Sequence, residues 1–311
     1  MLKFSAAAAL ACATALPLAA FAQTPAAKVP APMPVTASFS ILADLTRVVG
    51  GERVEVQTLV AANQDAHVFE PSPVDAKKLL QARVLVSNGL GFEPWLGKLV
   101  KAVSYSGIQA VASKGVKAMA AEGDDHEHGH GHDHGESDPH AWQDPTNVIT
   151  YVRNISAALS QADPTGAPVY QANSAAYITQ LRAFDTWAQA QFAALPEAKR
   201  RVITSHDAFG YFAKHYKLRF RAPQGISSEA EASAKDVAAL VRQIKREKTK
   251  AVFFENMSNP KLITQLAAEA GVKLGPALYA DALSAPGQPG ATYLEMMRYN
   301  VNTLVAGMQQ N

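Results

Sequence analysis

The chain has 311 residues, of which 48% are hydrophobic and 18% are charged, and its formal net charge is +2 at pH 7. This length exceeds one typical hydrophobic core, so we expect two lobes. The near-neutral charge does not indicate a nucleic-acid-binding protein, and the single cysteine, Cys12, excludes an internal disulfide.

The first 22 residues have the pattern of a secretory signal peptide. Lys3 precedes an apolar stretch that ends in Ala20-Phe21-Ala22, which provides small residues at cleavage spacing. We therefore expect export to the periplasm and a mature chain that begins near Gln23. A membrane anchor is one alternative, which Pro17 argues against, and a lipid anchor at Cys12 is another.

Short β-branched or apolar runs alternate with helix-like stretches in both halves of the chain. This alternation predicts an α/β fold in which each lobe has a parallel-type sheet flanked by helices. The predicted strands lie at 35–40, 54–60, 82–88, 200–206, 218–224, 251–256 and 273–280, and the predicted helices at 41–49, 74–81, 234–247 and 260–270.

One long interdomain helix is predicted at 167–195, which is almost free of Gly and Pro after Pro168. About 28 helical residues would span roughly 42 Å, enough to join two lobes. The alternative is two shorter helices with a break near Asn173. The resulting organisation is a signal peptide (1–22), a flexible leader (23–34), an N-terminal lobe (35–163), a linking helix (164–195) and a C-terminal lobe (196–311).

Five of the nine histidines fall in one tract, EGDDHEHGHGHDHGESD. Histidine alternating with Gly, Asp and Glu cannot build a core, so we predict a histidine-rich loop at 122–137. Neutral imidazoles bind zinc, copper or nickel weakly and exchangeably, which makes these residues candidate auxiliary ligands. A solvated loop without a role is the alternative. The five residues are His126, His128, His130, His132 and His134.

Three further histidines and one aspartate lie beside predicted strand or helix ends. His67 lies in DAHVFEPSP, His140 in SDPHAWQDP, His206 in ITSHDAFGYF and Asp281 in ALYADALS. In open α/β sheets, loops at strand ends converge on the ligand crevice. Three imidazoles and a carboxylate form a four-coordinate set that suits zinc without a thiolate. Taken alone, Asp281 would indicate a helix N-cap or a turn.

Four motifs, HVFEPSP, DPHAWQDP, SHDAFGYF and LYADALS, resemble in this order the marker segments of the zinc and manganese substrate-binding proteins of bacterial ABC transporters (cluster A-I). The resemblance covers essentially the whole mature chain, and the histidine-rich insertion is similar to that of the zinc-uptake members. It implies that His67 and His140 come from the N-terminal lobe, and His206 and Asp281 from the C-terminal lobe.

The function implied by the resemblance is delivery of zinc to an ABC-transporter membrane permease by a monomer, with a periplasmic zinc metallochaperone as a candidate second partner. A site divided between lobes would release its ion when the lobes separate, because that motion breaks two ligand bonds at once. Three alternatives stay open: a manganese or iron transport protein, a periplasmic zinc buffer that uses the loop, and a metallohydrolase. An enzyme is not expected, because the sequence has no HExxH motif.

Manganese members of the resembled family have glutamate where this chain has His206, and this difference favours zinc. Two positions depart from the family pattern. Ala66 stands where some zinc members have an acid, which makes Asp281 more necessary, and Phe69 stands where many have tyrosine.

Ligating imidazoles usually donate their second N–H to a carboxylate or carbonyl, so acidic residues near the motifs are candidate supports. His215 is expected to occupy an ordinary amphipathic helix position and is not counted as a ligand. The candidate supports are Glu70, Asp144, Asp207, Glu229, Glu231 and Glu255.

Overall fold

The computed structural model describes residues 31–120, 137–227 and 232–311. These residues contain six strands and nine α-helices. The predicted signal peptide, most of the leader, the five tract histidines, Glu229 and Glu231 lie outside these residues. None of the described helices combines the length and the apolar composition that a membrane span requires.

The strands are β1 (Met33–Phe39), β2 (Val54–Val60), β3 (Val84–Ser87), β4 (Ile108–Val111), β5 (Arg201–Ile203) and β6 (Arg219–Arg221). The helices are α1 (Ser40–Gly50), α2 (Pro73–Gln81), α3 (Leu96–Ala102), α4 (Pro145–Ala162), α5 (Ala167–Ala193), α6 (Gly210–Tyr216), α7 (Ala234–Glu247), α8 (Lys261–Ala270) and α9 (Tyr293–Met308).

The first sheet has the order β2-β1-β3-β4, and all of its pairs are parallel. β1 lies in its interior and is buried on both faces, as a parallel sheet covered by helices requires. Val35 lies opposite Val56 of β2 and Val84 of β3. The carboxyl end of β1 leads directly into α1, whereas the loop after β2 runs from residue 61 to residue 72.

The second sheet is smaller and also parallel, with the pair β5-β6. The predicted strands at 251–256 and 273–280 are not regular strands, and this expectation is corrected. They contribute isolated parallel bridges, Ile203 to Val252 and Glu255 to Leu278. The N–H groups of Gly275 and Leu278 donate to the carbonyls of Val252 and Phe254, so the donors are three residues apart and the acceptors two, which is not the spacing of a regular ladder.

α5 is one continuous helix of 27 residues. The prediction of one long helix is therefore confirmed, and the alternative of two shorter helices is wrong. At 1.5 Å per residue α5 is about 40 Å long. Asn173 does not break it, because its side-chain amide projects from the helix and donates to the carbonyl of Val49, 3.0 Å away. Aromatic side chains at helical spacing along α5, including Tyr170 and Phe184, are buried.

Most buried apolar side chains belong to one hydrophobic cluster that includes residues from both predicted lobes. Phe39, Trp142 and Tyr293, which come from distant parts of the chain, are all buried in it. A second, smaller cluster lies between α7 and α8 around Ile244 and Leu266. The larger cluster lies directly beneath the loops that hold the candidate site.

Candidate metal centre

The four candidate ligands lie in loops at the ends of the elements just described. His67 follows β2, His140 precedes the short turn that leads into α4, and His206 follows β5. Asp281 follows the isolated bridge at Leu278. Side chains from four distant segments thus meet at one place, as expected of loops at the carboxyl edge of parallel sheets.

Carboxylates fix the main chain at each histidine. Asp65 Oδ1 accepts the N–H of His67 at 2.8 Å, and Asp138 Oδ1 accepts the N–H of His140 at 2.9 Å. Both bonds run from residue i+2 back to the side chain of residue i, the Asx-turn pattern. These turns set the direction in which the two imidazoles leave the main chain.

The ligand atoms of His67, His140, His206 and Asp281 all lie within 4.8 Å of one another. The Nε2 atoms of His67 and His140 are 3.3 Å apart. The carboxylate oxygens of Asp281 lie 3.4 Å from Nε2 of His67, 3.6 Å from Nε2 of His140 and 3.1 Å from Nε2 of His206. The structure therefore brings together the four residues that the sequence singled out.

The centre is buried, and several of its polar atoms have no suitable partner. His140, His206 and Asp281 have no measurable exposure, and His67 is 7% exposed. Nε2 of His206 and both carboxylate oxygens of Asp281 lack a hydrogen bond of good geometry among the described residues, although His206 and Asp281 are close. Buried polar atoms without partners are costly unless a ligand satisfies them.

Charge strongly perturbs two of these groups. Burial alone would lower the pKa of His206, but the neighbouring charges of Glu255 and Asp281 outweigh it and raise this pKa well above 6.5. Burial would likewise raise the pKa of Asp281, yet His206 and His140 hold it well below 3.8. In the absence of a cation, a proton on His206 therefore offsets the negative charge of the pocket.

Two buried carboxylates contact the Nδ1 atoms of His206 and His140, the ring nitrogens that face away from the other candidate ligands. Nδ1 of His206 lies 2.5 Å from Glu255 Oε2, and Nδ1 of His140 lies 2.8 Å from Asp138 Oδ1. Glu255 was among the predicted supports, whereas Asp138 was not. A signal for it was present, since aspartate stands two residues before the histidine in both DAH and DPH.

The remaining predicted supports have other surroundings. Glu70 is exposed, and Asp144 caps the N-terminus of α4 by accepting the N–H of Thr146. His215 lies outside the cluster, as expected, with Nε2 2.7 Å from Asp185 on α5. Asp207 lines a separate cavity together with Asp138.

Aromatic side chains pack against the candidate ligands. The Phe92 ring packs edge-on against His67 with a centroid distance of 4.8 Å, and Trp142 packs against His140 at 5.3 Å. Ala66 and Phe69, the two positions that depart from the family pattern, have apolar surroundings. Ala66 is fully buried, so an acid there would have to be desolvated, and Phe69 packs against Trp95 at 4.9 Å.

Residues 35–307 match the family described as ZnuA, zinc-uptake complex component A periplasmic. The chain is 33% identical over 276 residues to the manganese-binding lipoprotein MntA of Halalkalibacterium halodurans, covering 89% of this chain and 88% of that one. It is 29% identical over 280 residues to the iron ABC transporter substrate-binding lipoprotein MtsA of Streptococcus pyogenes, covering 88% of each.

Among solved structures, the chain is similar to the periplasmic zinc-binding protein TroA from Treponema pallidum. The TM-score is 0.82 at 26% sequence identity, and the match covers 90% of this chain and 99% of that one. This likeness confirms the predicted α/β fold with two lobes and a long helix.

Proposed function

Because the chain belongs to the ZnuA family of periplasmic zinc-uptake components, we propose that it is the substrate-binding protein of a metal ABC transporter and that its cargo is zinc. The family consists of substrate-binding transport proteins and not of enzymes, so the metallohydrolase alternative is set aside. His67, His140, His206 and Asp281 are the proposed ligands.

The convergence of four buried donor atoms carries the proposal. Around a tetrahedral ion with bonds of 2.0–2.1 Å, neighbouring ligand atoms are about 3.3 Å apart. Four of the six pairs among these residues, each measured to the nearer Asp281 oxygen where Asp281 takes part, are 3.1 to 3.6 Å apart, and the whole set lies within 4.8 Å. An ion at the centre would also supply the partner that the orphaned atoms of His206 and Asp281 lack.

The choice of zinc rests on the donor set. Three imidazole nitrogens and one carboxylate suit zinc, whereas manganese and iron(II) compete better where oxygen ligands dominate. Glu255 does not supply a further oxygen, because its two oxygens accept the Nδ1–H of His206 and the main-chain N–H groups of Ser205 and His206.

Manganese or iron is the second candidate cargo, and the names of the relatives favour it. One relative is called manganese-binding and another an iron transporter component. In this alternative the same four residues would bind an ion that completes a larger coordination shell. Because zinc binds most nitrogen and oxygen sites more tightly than manganese or iron(II) does, the metal content of the protein isolated from cells grown with both metals limiting distinguishes the cargoes better than competition in solution.

The test is a titration of the metal-free protein with zinc against a chelator of known affinity. We expect one tight site per chain, which disappears in His206→Ala and persists in His215→Ala, because the second variant removes a half-buried histidine outside the cluster. Tight binding that survives in His206→Ala would contradict the proposed ligand set. A higher affinity for manganese than for zinc would instead identify manganese as the cargo.

Export to the periplasm, the lobe boundaries at 163 and 195, and a membrane permease as partner complete the proposal. The histidine-rich tract would collect zinc and pass it to the centre. Deletion of residues 124–136 should slow loading from scarce zinc and leave the tight site intact. If all zinc binding is lost with the tract, the protein is a buffer and the transport role is wrong.

A further inference from the structure

The two ends of the histidine-rich sequence meet beside the metal centre. The main-chain N–H of Asp138 donates to the carbonyl of Met119 at 2.9 Å. Ala120 and Ser137 form an antiparallel bridge next to this bond. These four residues, which flank the sequence 121–136, are called the neck below.

One hydroxyl from the other half of the chain joins both ends of the neck. Tyr211, on α6, is 4% exposed and lies five residues after His206. Its hydroxyl donates to the carbonyl of Asp138 at 3.0 Å and accepts the N–H of Met119, also at 3.0 Å. A phenylalanine at this position would remove the partner of both main-chain groups.

The neck leads directly to a proposed ligand. Asp138 Oδ1 lies 2.8 Å from Nδ1 of His140, and both residues are buried. The other carboxylate oxygen, Oδ2, packs against Gly210, where an added Cβ would lie only 2.6 Å from it. Tyr211 thus fixes the main chain of Asp138 while Gly210 leaves room for its carboxylate.

We infer that Tyr211 is a positioning residue for metal binding. Its hydroxyl holds Asp138, and the Asp138 carboxylate then keeps Nδ1 of His140 protonated and Nε2 directed at the other ligands. The inference rests on the proposed function, because it gives Tyr211 a role in binding the same ion. A continuous series of hydrogen bonds therefore links Met119 and Asp138, at the two ends of the neck, to the ring of His140.

The test compares Tyr211→Phe with Tyr216→Phe in the zinc titration. Tyr216 is the matched control because it lies on the same helix, is equally buried and donates its hydroxyl to Asp185 at 3.0 Å, away from the neck. We expect Tyr211→Phe to weaken zinc binding about two- to tenfold, the range for a single typical hydrogen bond, because the two bonds that it removes act on the ion only through Asp138. Tyr216→Phe should bind zinc as the wild type does.

A double-mutant cycle separates positioning from general loss of structure. In an Asp138→Ala background, Tyr211→Phe should cause no further loss of zinc affinity, because the carboxylate through which it acts is gone. Gly210→Ala gives a second perturbation and should weaken binding by displacing Asp138 Oδ2. Nitrogen-15 NMR of the metal-free protein should show the His140 Nδ1–H exchanging faster in Tyr211→Phe than in Tyr216→Phe.

Wild-type zinc affinity in Tyr211→Phe, or an equal loss in the Asp138→Ala background, would overturn the inference while leaving the proposed function intact. A wild-type protein without a tight zinc site would instead contradict the proposed function itself. The two failures are therefore distinguishable in one set of titrations.

Discussion

The buried carboxylate of Glu255 determines how His206 presents its ring. One oxygen faces Nδ1 of His206, and the other accepts the main-chain N–H groups of Ser205 and His206 at 3.0 and 3.2 Å. Both oxygens must be acceptors in this arrangement. The residue can therefore not be replaced by its amide without placing a donor against a donor.

Replacing Glu255 with glutamine should weaken zinc binding about 10- to 100-fold, the usual effect of removing an outer partner of a ligating histidine. The amide N–H₂ must face either the Nδ1–H of His206 or the two main-chain N–H groups. Competitive titration measures the effect, and Glu247→Gln on α7 is the control with the same chemical change. Equal affinities in the two variants would show that Glu255 does not orient His206.

Zinc affinity should fall as the pH is lowered, because zinc binds the unprotonated imidazole. The pKa of His206 in the metal-free protein lies above 6.5, so at pH 6.5 zinc must displace its proton. We expect about one proton released per zinc at this pH and about a tenfold loss of affinity per unit of further acidification. Calorimetry in two buffers of different ionisation enthalpy counts the protons. No release at pH 6.5 would contradict the assignment of a protonated His206.

Residue types and motif order were enough to predict which four side chains meet. Asp138, the Nδ1 partner of His140, was not predicted. It is the last residue of the acidic, histidine-rich tract, and nothing in the tract distinguishes it from the other acidic residues there. Distances between ring nitrogens and the burial of Ala66 depend on contacts between segments far apart in sequence. Sequence pattern carries no information on these contacts.

At the scale of elements, the start of α5 is fixed by an ion pair and two hydroxyl groups. Arg53 donates to Asp163 Oδ2 at 2.7 and 3.0 Å, and the Tyr170 hydroxyl donates to the same oxygen at 2.8 Å. Arg53, Thr165 and Tyr170 together hold the pKa of Asp163 below its ordinary value of 3.8, although burial acts in the opposite direction. This contact therefore stabilises the fold above pH 3.8 and is lost as the pH falls through the lowered pKa.

Gly166, directly before α5, should not tolerate a side chain. A Cβ there would collide with Asp163, Arg53 and Tyr170. We expect Gly166→Ala to destabilise the protein by about 1–3 kcal/mol, the usual cost of overpacking. The control is Gly97→Ala in α3, where nothing lies within 4 Å and stability should be unchanged or higher by up to about 1 kcal/mol. Equal melting temperatures in the two variants would contradict the predicted role of this contact.

The segment that contains Asp281 is bound to the N-terminal half of the chain by several hydrogen bonds. Trp142 and Gln143 donate to the carbonyl of Ala280 at 3.0 and 2.8 Å, and the N–H of Leu283 donates to Ser40 Oγ at 3.0 Å. A lobe motion that preserves these bonds would remove His206 from the other ligands and leave Asp281 in place. This differs from the simple expectation that His206 and Asp281 move together.

Local pattern predicted elements best where periodicity was strong. The helix at 234–247 has the predicted bounds, because its apolar side chains follow a clear helical period. The apolar residues at 273–280 predict a strand, but the backbone there is irregular. Gly275 and Pro276, two residues that are uncommon inside strands, were the signal against this prediction. α9 was not predicted, although Thr292 and Glu295 form a capping box at its start.

At the scale of the whole molecule, the ion should stabilise the fold, because its ligands come from four distant segments. At a free zinc concentration 100 times the Kd, binding adds about 2.7 kcal/mol to the free energy of unfolding. For a chain of this size we expect a rise in melting temperature of about 5 °C or more. His215→Ala should keep this rise and His206→Ala should lose it. A similar rise in both variants would indicate that zinc acts elsewhere.

The two-lobe fold followed from the alternation of elements and from the four motifs. The hydrogen bonds that join the Asp281 segment to the N-terminal half could not be predicted, because they link residues more than 130 positions apart. The continuity of the larger hydrophobic core between the halves was likewise not visible in any local pattern.

A crystal structure of the zinc-loaded protein, with anomalous diffraction recorded at the zinc edge, would locate the bound ion directly. We expect one strong peak, bonded at about 2.0–2.2 Å to Nε2 of His67, His140 and His206 and to the Asp281 carboxylate. A strongest peak elsewhere, with none among these four side chains, would show that they do not form the zinc site.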